Sequence, residues 1–569
     1  MTKKRTYPQH HHVLLLVLVV TGVLFAACCA GWGALARLFP GSTSPTGPAA
    51  APATGLRVAY SPEKQVLFEA LVAQFNQQNQ TTADGEPMQV QTVQMDPETM
   101  VDAALRGEVQ AMVPDSSVWL DVLDRAHAGQ LTSASGSTPS SATSEVTRWA
   151  VSPVVIAMWQ DTARQLGWPD QPIGWKTLLD RAQHDKNFKW SHPATSSASG
   201  LLATLAQFYA GAGTTRGLTE EQARSQAVAD YVSAIQKTVH FYGEGEWPVI
   251  QRVLKEGPSF LDAFVVQEQL VVYFNQQANR PGQLVAIYPA EGTLWEDHPL
   301  ALVESDTLTP QQRETYRAFR QFLVSQPVQE QVLAAGYRPA DLSVKIDSPT
   351  SPINPANGVD PSQPQTTLQM PSPAVIQIVR DVWWLTKRHT NVYLVADTSG
   401  SMEGDKLARA KEGLSAFLEQ IKGDSERVGL VAFSSSVYDV VELNELRANR
   451  AQLTTTINGL EANGDTALLD AVAEAYGRLQ TLRDTQRINA IVVMTDGKEN
   501  NSYISLSQLV SQIKRGNQSG VPVIVFCIAY GNDADMNTLQ QIASASGGQV
   551  RAGDLETIRG LYQILSTYF

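Results

Sequence analysis

Four short apolar runs in the last third of the chain constrain its fold most: residues 392–396, 428–433, 490–494 and 523–528. Each is too short for a helix and lacks the polar alternation of a half-exposed strand, so each reads as a strand buried on both faces. Helix-period segments separate them. Residues 406–421, for example, carry Leu407, Ala410, Leu414, Phe417, Leu418 and Ile421 on one face. Buried strands alternating with amphipathic helices give a doubly wound, Rossmann-like α/β sheet. Ligands gather outside the carboxyl ends of such strands, which directs attention to the residues that follow each run.

After the first run come Asp397, Thr398, Ser399, Gly400 and Ser401; the third ends in Thr495, Asp496 and Gly497; and Gly464-Asp465-Thr466 opens a helix. Carboxylates and hydroxyls are hard oxygen donors that suit Mg²⁺, Mn²⁺ or Ca²⁺ better than zinc or copper. The same residue types cap helices, and for Thr466 alone capping would suffice. Asp397, Ser399, Ser401, Thr466 and Asp496, on three loops at one sheet edge, read together as a divalent-cation site. Glu403, Asp465 and Asp470 read as caps or surface charges, and Cys527 as an inert core residue. Over residues 373–569 the pattern resembles the von Willebrand factor A (VWA) domain with its metal-ion-dependent adhesion site. That resemblance implies direct coordination by the two serines and by Thr466 or Asp397, with Asp496 acting through water. It also implies Mg²⁺ as the usual ion and, as partner, a protein that presents an acidic residue to it.

At the other end, Lys3, Lys4 and Arg5 lie in a basic tail (residues 1–12) ahead of an apolar segment at 13–36. That segment is long enough to cross a hydrocarbon core of about 30 Å, and the basic flank would stay cytoplasmic. The expectation is a single-pass anchor in the cell membrane, with the bulk of the chain extracytoplasmic. Ala34-Leu35-Ala36 as a signal-peptidase site and Phe25–Cys28 as an imperfect lipoprotein box are the alternatives, and both also place the bulk outside. Residues 37–55, rich in Gly, Ser, Thr, Pro and Ala, read as a flexible spacer.

Residues 56–345 alternate short strands and helices: strands at 56–60, 88–95 and 151–158, helices at 63–79 and 98–106, and a Ser/Thr-rich surface loop at 132–144. Ser152-Pro153-Val154-Val155, Pro172-Ile173-Gly174-Trp175, Ser191-His192-Pro193, Tyr288-Pro289-Ala290-Glu291-Gly292 and Gly336-Tyr337-Arg338-Pro339 follow in order. This segment resembles the type II solute-binding proteins of ABC importers, ending as the molybdate-type members do. The resemblance implies two α/β lobes, a two-strand hinge, a ligand cleft and an ABC permease as partner. Thr195, Ser196 and Ser197 precede a helix-like run at 201–210, and backbone N–H groups at such a start suit a small polar or anionic solute. Ser61, Ser116, Ser117 and Ser152 end or begin strands of the same segment, and Tyr288 is a candidate cleft wall. Asp115 and Glu291 would oppose a bare oxyanion. Residues 346–372 are Pro-rich, a linker or a strap over the first domain. Trp383 and Trp384, in a helix-like stretch after it, read as packing residues.

A net charge of −13 excludes a nucleic-acid partner on electrostatic grounds. There is no HExxH, GxSxG, P-loop or GxGxxG, and the nine histidines form no ligand-spaced cluster in the sequence. The expected function is therefore binding rather than catalysis: a membrane-anchored protein joining a solute cleft to a metal-dependent protein-interaction domain. The alternative is a sensor or scaffold whose first domain binds no transported solute. A metal-dependent hydrolase is the least supported reading.

Overall fold

Each of the four apolar runs lies in a strand of one six-stranded sheet. Its order is Val437–Glu445, Arg427–Phe433, Thr390–Asp397, Ile488–Thr495, Val523–Tyr530 and Val550–Gly553, all parallel except the first. The missing polar alternation has a simple cause. Val392, Leu394 and Ala396 face one buried layer with Phe417 and Leu418, while Tyr393 and Val395 face another with Val472 and Leu509. The computed structural model describes residues 55–569 apart from 133–140, 244, 422, 532, 556, 559–560, 563–564 and 566–569. The basic tail, the apolar segment and nearly all of the spacer lie outside the described residues, as does most of the Ser/Thr-rich loop. Among the described residues no helix is long and apolar enough to cross a membrane.

The first domain has two sheets. One runs Val90–Gln94, Leu56–Tyr60, Ala111–Val113, Pro299–Val303, Thr143–Arg148. The other is built on the long strand Ala150–Trp159, which pairs with Trp295–Glu296, Ala263–Gln267, Leu284–Ile287 and Arg338–Pro339. The chain passes between the sheets at Trp149 and again at Asp297-His298, and Trp149 N donates to His298 O at 3.4 Å. These adjacent crossings are the two-strand hinge that joins the lobes. The helix expected over 63–79 is a turn, Pro62–Lys64, followed by Gln65–Asn76; Val66 is 62% exposed, because burial follows Phe68, Leu71, Val72 and Phe75. The expected loop at 132–144 already enters a strand at Thr143.

Residues 346–372 form the strap rather than a free linker. Ala286 N donates to Gly358 O (2.8 Å) and Leu368 N to Thr293 O (2.8 Å), while Ile353, Val359 and Leu368 are buried. Gly358 has φ +73°, and a Cβ there would stand 2.1 Å from Leu284 O, so glycine is required. The next helix, Pro373–Thr386, expected to open the second domain, packs instead on the first. Its Trp383 meets Tyr242 edge-on at 5.4 Å, and Arg380 pairs with Glu98 at 3.0 Å.

The junction between the domains is a buried ion pair. Lys387 Nζ lies 2.8 Å from Glu426 Oε1, with both side chains fully covered. Glu426 also accepts from Thr390 N (2.6 Å), Thr390 Oγ1 (2.5 Å) and His389 Nδ1 (3.0 Å). Arg388 reaches back to Val239 O (2.8 Å) and forward to Thr485 O (3.0 Å). Burial alone would raise the Glu426 pKa, but Lys387 and the surrounding donors outweigh it and bring it down to about 2. Its contribution to stability is thus full above the ordinary glutamate value near 4.5 and drains away as pH falls toward 2. Glu426→Gln is expected to cost about 3–5 kcal/mol at neutral pH, because the buried Lys387 ammonium loses its carboxylate. The loss should shrink on acidification between those two values, read by urea denaturation across the pH series.

Candidate functional site

At the carboxyl edge of the six-stranded sheet, register does the assembling. Ala396 stands opposite Met494 in the parallel pair, so Asp397 comes level with Thr495, and Asp496 follows at the same edge. Thr495 Oγ1 donates to Asp397 Oδ2 and accepts from Gly497 N at 3.2 Å; Ser399 N donates to Asp397 Oδ1 at 2.7 Å. Ser399 Oγ and Ser401 Oγ are 3.0 Å apart, and Ser401 Oγ donates to Asp496 Oδ1 at 2.6 Å. The Thr466 loop is stitched on by Asn463 N to Thr398 O (2.8 Å) and Gly400 N to Gly464 O (3.0 Å). A Cβ on Gly497 would meet Thr466 Oγ1 at 3.1 Å and Ser401 Oγ at 3.4 Å, so the hydroxyls of both loops crowd one point.

The five sequence-expected residues therefore converge. Asp397, Ser399, Thr466 and Asp496 are buried and Ser401 is exposed, so the cluster has one face to solvent. Burial raises the Asp397 pKa, opposed by the Thr495 and Ser399 donors and reinforced by Asp496. The local positive charge is Lys406 Nζ, 2.6 Å from Asp496 Oδ2. An all-oxygen donor set with two buried carboxylates fits a hard divalent cation. Asp470 caps the 503–504 turn, accepting from Tyr503 N and Ile504 N, and Cys527 is buried and free.

In the first domain the sequence candidates scatter. Ser197 Oγ accepts from Gly200 N at 3.1 Å and caps the helix Ala198–Ala212, which starts three residues earlier than expected. Thr195 is buried and Ser196 half-buried beside it. Ser116 Oγ accepts from Val118 N (3.4 Å) and Ser117 N donates to Asp297 Oδ1 (2.7 Å), so both serve the start of the next helix. Ser152 Oγ accepts from Gln269 N at 3.3 Å. Ser61 is fully buried and its hydroxyl has no hydrogen-bond partner among the described residues. Tyr288 donates to Glu268 and accepts from Asp360 N of the strap (3.1 Å), lining a hollow of about 480 Å³ beneath it. Glu291 accepts from Trp175 N and Lys176 N, a helix cap rather than a cleft group.

What the sequence did not disclose is a buried charge cluster where the lobes meet the hinge. Lys64 Nζ donates to Asp115 Oδ1 (2.5 Å) and to Val113 O (3.0 Å). Glu63 Oε1 accepts from Glu246 N across the lobes (3.2 Å), and Glu246 accepts from Gln267 N. Glu296 and His298 come from the hinge, and Asp115, Glu296 and His298 each offer a ligand atom within 4.8 Å of the others. Burial pushes Glu246 up to about 8 and Glu296 well above the usual range, the latter further raised by Glu246, Asp115 and Glu63. For Asp115, Lys64 and His298 overcome burial and hold its carboxyl low. No spacing rule finds this group, because Asp115 is separated from the other two by some 180 residues. The only sequence signal was the polar stretch Glu296-Asp297-His298 between apolar runs.

Residues 56–338 match the family model of bacterial extracellular solute-binding proteins, and residues 391–563 that of the von Willebrand factor type A domain. Among curated proteins, an uncharacterized protein of Synechocystis is 25% identical over 185 residues, 31% of this chain and 41% of that one. The human inter-alpha-trypsin inhibitor heavy chain H3 is 26% identical over 168 residues, 28% of this chain and 18% of that one. The chain thus spans under half the length of these relatives. Among solved structures, a von Willebrand factor type A protein from Catenulispora acidiphila is 24% identical with TM-score 0.29, covering 32% of this chain and 42% of that one. The periplasmic binding protein AfuA from Actinobacillus pleuropneumoniae is 13% identical with TM-score 0.39, covering 58% of this chain and 98% of that one.

Thr495 sets Asp397 in place without belonging to the five. Thr495→Val keeps the shape and removes the donor to a buried carboxylate, so a loss of about 1–3 kcal/mol is expected in urea unfolding, largely restored in Thr495→Ser.

Proposed function

Because the chain joins a domain of the bacterial extracellular solute-binding protein family to a von Willebrand factor type A domain, we propose that it is an extracytoplasmic binding protein held at the membrane by its N-terminal apolar segment. In this reading the first domain closes on a solute delivered to a permease, and the second grips a protein partner through a divalent cation. The observation that supports it most is the convergence of Asp397, Ser399, Ser401, Thr466 and Asp496 at one sheet edge. These residues would hold the ion, with Mg²⁺ the first candidate and Mn²⁺ or Ca²⁺ the others; when bound, it supplies an electrophilic centre for a partner's carboxylate. The chain's own part is to fix Asp397 through Thr495 and Ser399 N, to leave Ser401 exposed, and to balance Asp496 with Lys406. Nothing in this arrangement requires bond cleavage; its products are a grip and an orientation.

A second reading, a sensor or scaffold, is favoured by one specific feature. The helix Pro373–Thr386 touches both lobes, through Arg380–Glu98 on one and Trp383–Tyr242 on the other. A cleft so braced suits reporting as well as delivery.

Two measurements test the proposal. Asp397→Ala, or EDTA, should remove Mg²⁺-dependent capture of a membrane protein partner while the near-ultraviolet circular dichroism of the chain is kept; capture that survives both refutes the metal-dependent grip. For the cleft, a panel of anions, sugars, amino acids and metal cations should include one that stabilises the chain by about 2.7 kcal/mol at a hundredfold excess over its Kd. For a domain of this size that is a rise of several degrees in Tm, and silence across the panel favours the scaffold.

A further inference from the structure

The cluster at the hinge deepens the solute-binding reading, on which this inference rests. Four carboxylates, those of Glu63, Asp115, Glu246 and Glu296, act on one another at full burial against the single ammonium of Lys64. Among the described residues both oxygens of Glu296 lack any hydrogen-bond partner, and so does Nε2 of His298; both side chains are completely covered. His298 Nδ1 stands 3.3 Å from Asp115 Oδ1. Nearby, Gln267, whose backbone N–H reaches Glu246, has no partner among the described residues for either amide atom and no exposure. Buried polar groups are almost always satisfied, and an unpaired buried carboxylate is among the costliest exceptions. Unfilled valences that point at one another mark a place for a ligand.

The charge and the dimensions select its class. The ammonium of the cluster, Lys64, is already taken by Asp115 at 2.5 Å, so an oxyanion would find carboxyl groups and no free cation among these residues, which displaces the anionic solute expected from the helix start at Ser197. Ligand atoms of Asp115, Glu296 and His298 that lie within 4.8 Å of one another fit one coordination sphere, where metal–oxygen and metal–nitrogen bonds run near 2.0–2.2 Å. Two carboxylates with an imidazole suit a divalent transition metal better than Mg²⁺ or Ca²⁺, which favour all-oxygen sets. The three groups also come from different parts of the clamp. Asp115 lies two residues beyond the strand Ala111–Val113 of one lobe, and Glu296 and His298 flank the hinge crossing, with His298 at φ +35°, a conformation few non-glycine residues adopt. Glu246, from the other lobe, closes over them through its N–H bond to Glu63.

We propose that the first domain is a receptor for a divalent transition-metal cation, with Asp115, Glu296 and His298 as its ligands, held in the closed cleft beside the hinge. This site is separate from the oxygen cluster at the sheet edge of the second domain and differs from it in using a histidine. Lys64 keeps part of the charge balanced while the cleft is open, and closing the lobes brings Glu246 to the cluster.

The test uses the full-length chain carrying Asp397→Ala, so that the second domain's site does not contribute. It is stripped with EDTA, incubated with Zn²⁺ or Mn²⁺, and freed of excess metal by gel filtration. Compared with the same chain also carrying Glu296→Gln, it should retain one more metal ion per molecule and show a metal-dependent rise in Tm that the second chain lacks. Taking the difference cancels any metal held by His10, His11 and His12. His298→Gln, a second variant, guards against a folding defect in the first; matching near-ultraviolet circular dichroism without metal verifies each. With Co²⁺, the visible d–d spectrum should lose its intensity in both. Equal metal content in all three chains overturns the inference. Stabilisation by phosphate, a sugar phosphate or an amino acid, with none by Zn²⁺ or Mn²⁺, overturns it too while leaving the solute-binding reading intact. No stabilisation by any of them removes both.

Discussion

A carboxylate shut away from water must find a proton, a donor or a cation, and much of this molecule is arranged around that requirement. At the domain junction Glu426 has Lys387, His389 and Thr390. Under the strap Glu268 has the two-pronged guanidinium of Arg338, at 2.7 Å to each oxygen. At the sheet edge Asp496 has Lys406, and Asp397 has Thr495 and Ser399 N. In each case the compensating group also ties two segments together, so the same contacts that neutralise charge also hold the architecture. Glu296 stands apart: among the described residues its oxygens have no partner at all.

The second domain was legible in the sequence because its site is made of strand ends. Parallel pairing in register delivers whatever follows Ala396 and Met494 to the same edge, so the apolar runs by themselves locate Asp397 and Asp496 there. The residues that hold them, Thr495 and Lys406, were missed because threonine at a strand end and lysine on a helix carry no distinguishing pattern. The first domain was legible in its lobes and not in its cleft. Ser116, Ser117 and Ser197 do what hydroxyl residues at helix starts commonly do. Of the charged groups that meet there, Asp115 reads in the sequence only as a charge that would oppose an oxyanion, and Lys64, Glu246 and Glu296 carry no signal of their own. Their significance depends on burial, which periodicity does not report for isolated polar residues.

Residues 346–388 show a related effect of context. The six prolines of residues 346–372 and their polar neighbours have the composition of a free linker, and composition describes what a chain does when nothing covers it. Here Ile353, Val359 and Leu368 supply enough apolar anchors, with Gly358 allowing its carbonyl to reach the edge strand Leu284–Ile287, to lay the segment down as a strap. The helix that follows then takes its position from the first domain.

That position bears on how the two domains communicate. Arg388 binds Val239 O, and its backbone N–H binds the Tyr242 hydroxyl, so the start of the six-stranded sheet is fixed to the lobe that contains the strands at 190–193 and 242–243. Arg380, through Glu98 and the face of Trp119, reaches from the same helix to the other lobe. The strength of the two attachments is unequal. One is a set of buried bonds around Lys387 and Arg388; the other is a partly exposed ion pair and a cation–π contact, each worth about 1 kcal/mol or less. Parting the lobes at the hinge would therefore break the Arg380 contacts first and leave the second domain riding on its own lobe. A ligand that held the cleft shut would keep Arg380 engaged, so the helix that leads into the six-stranded sheet is placed to feel the state of the cleft.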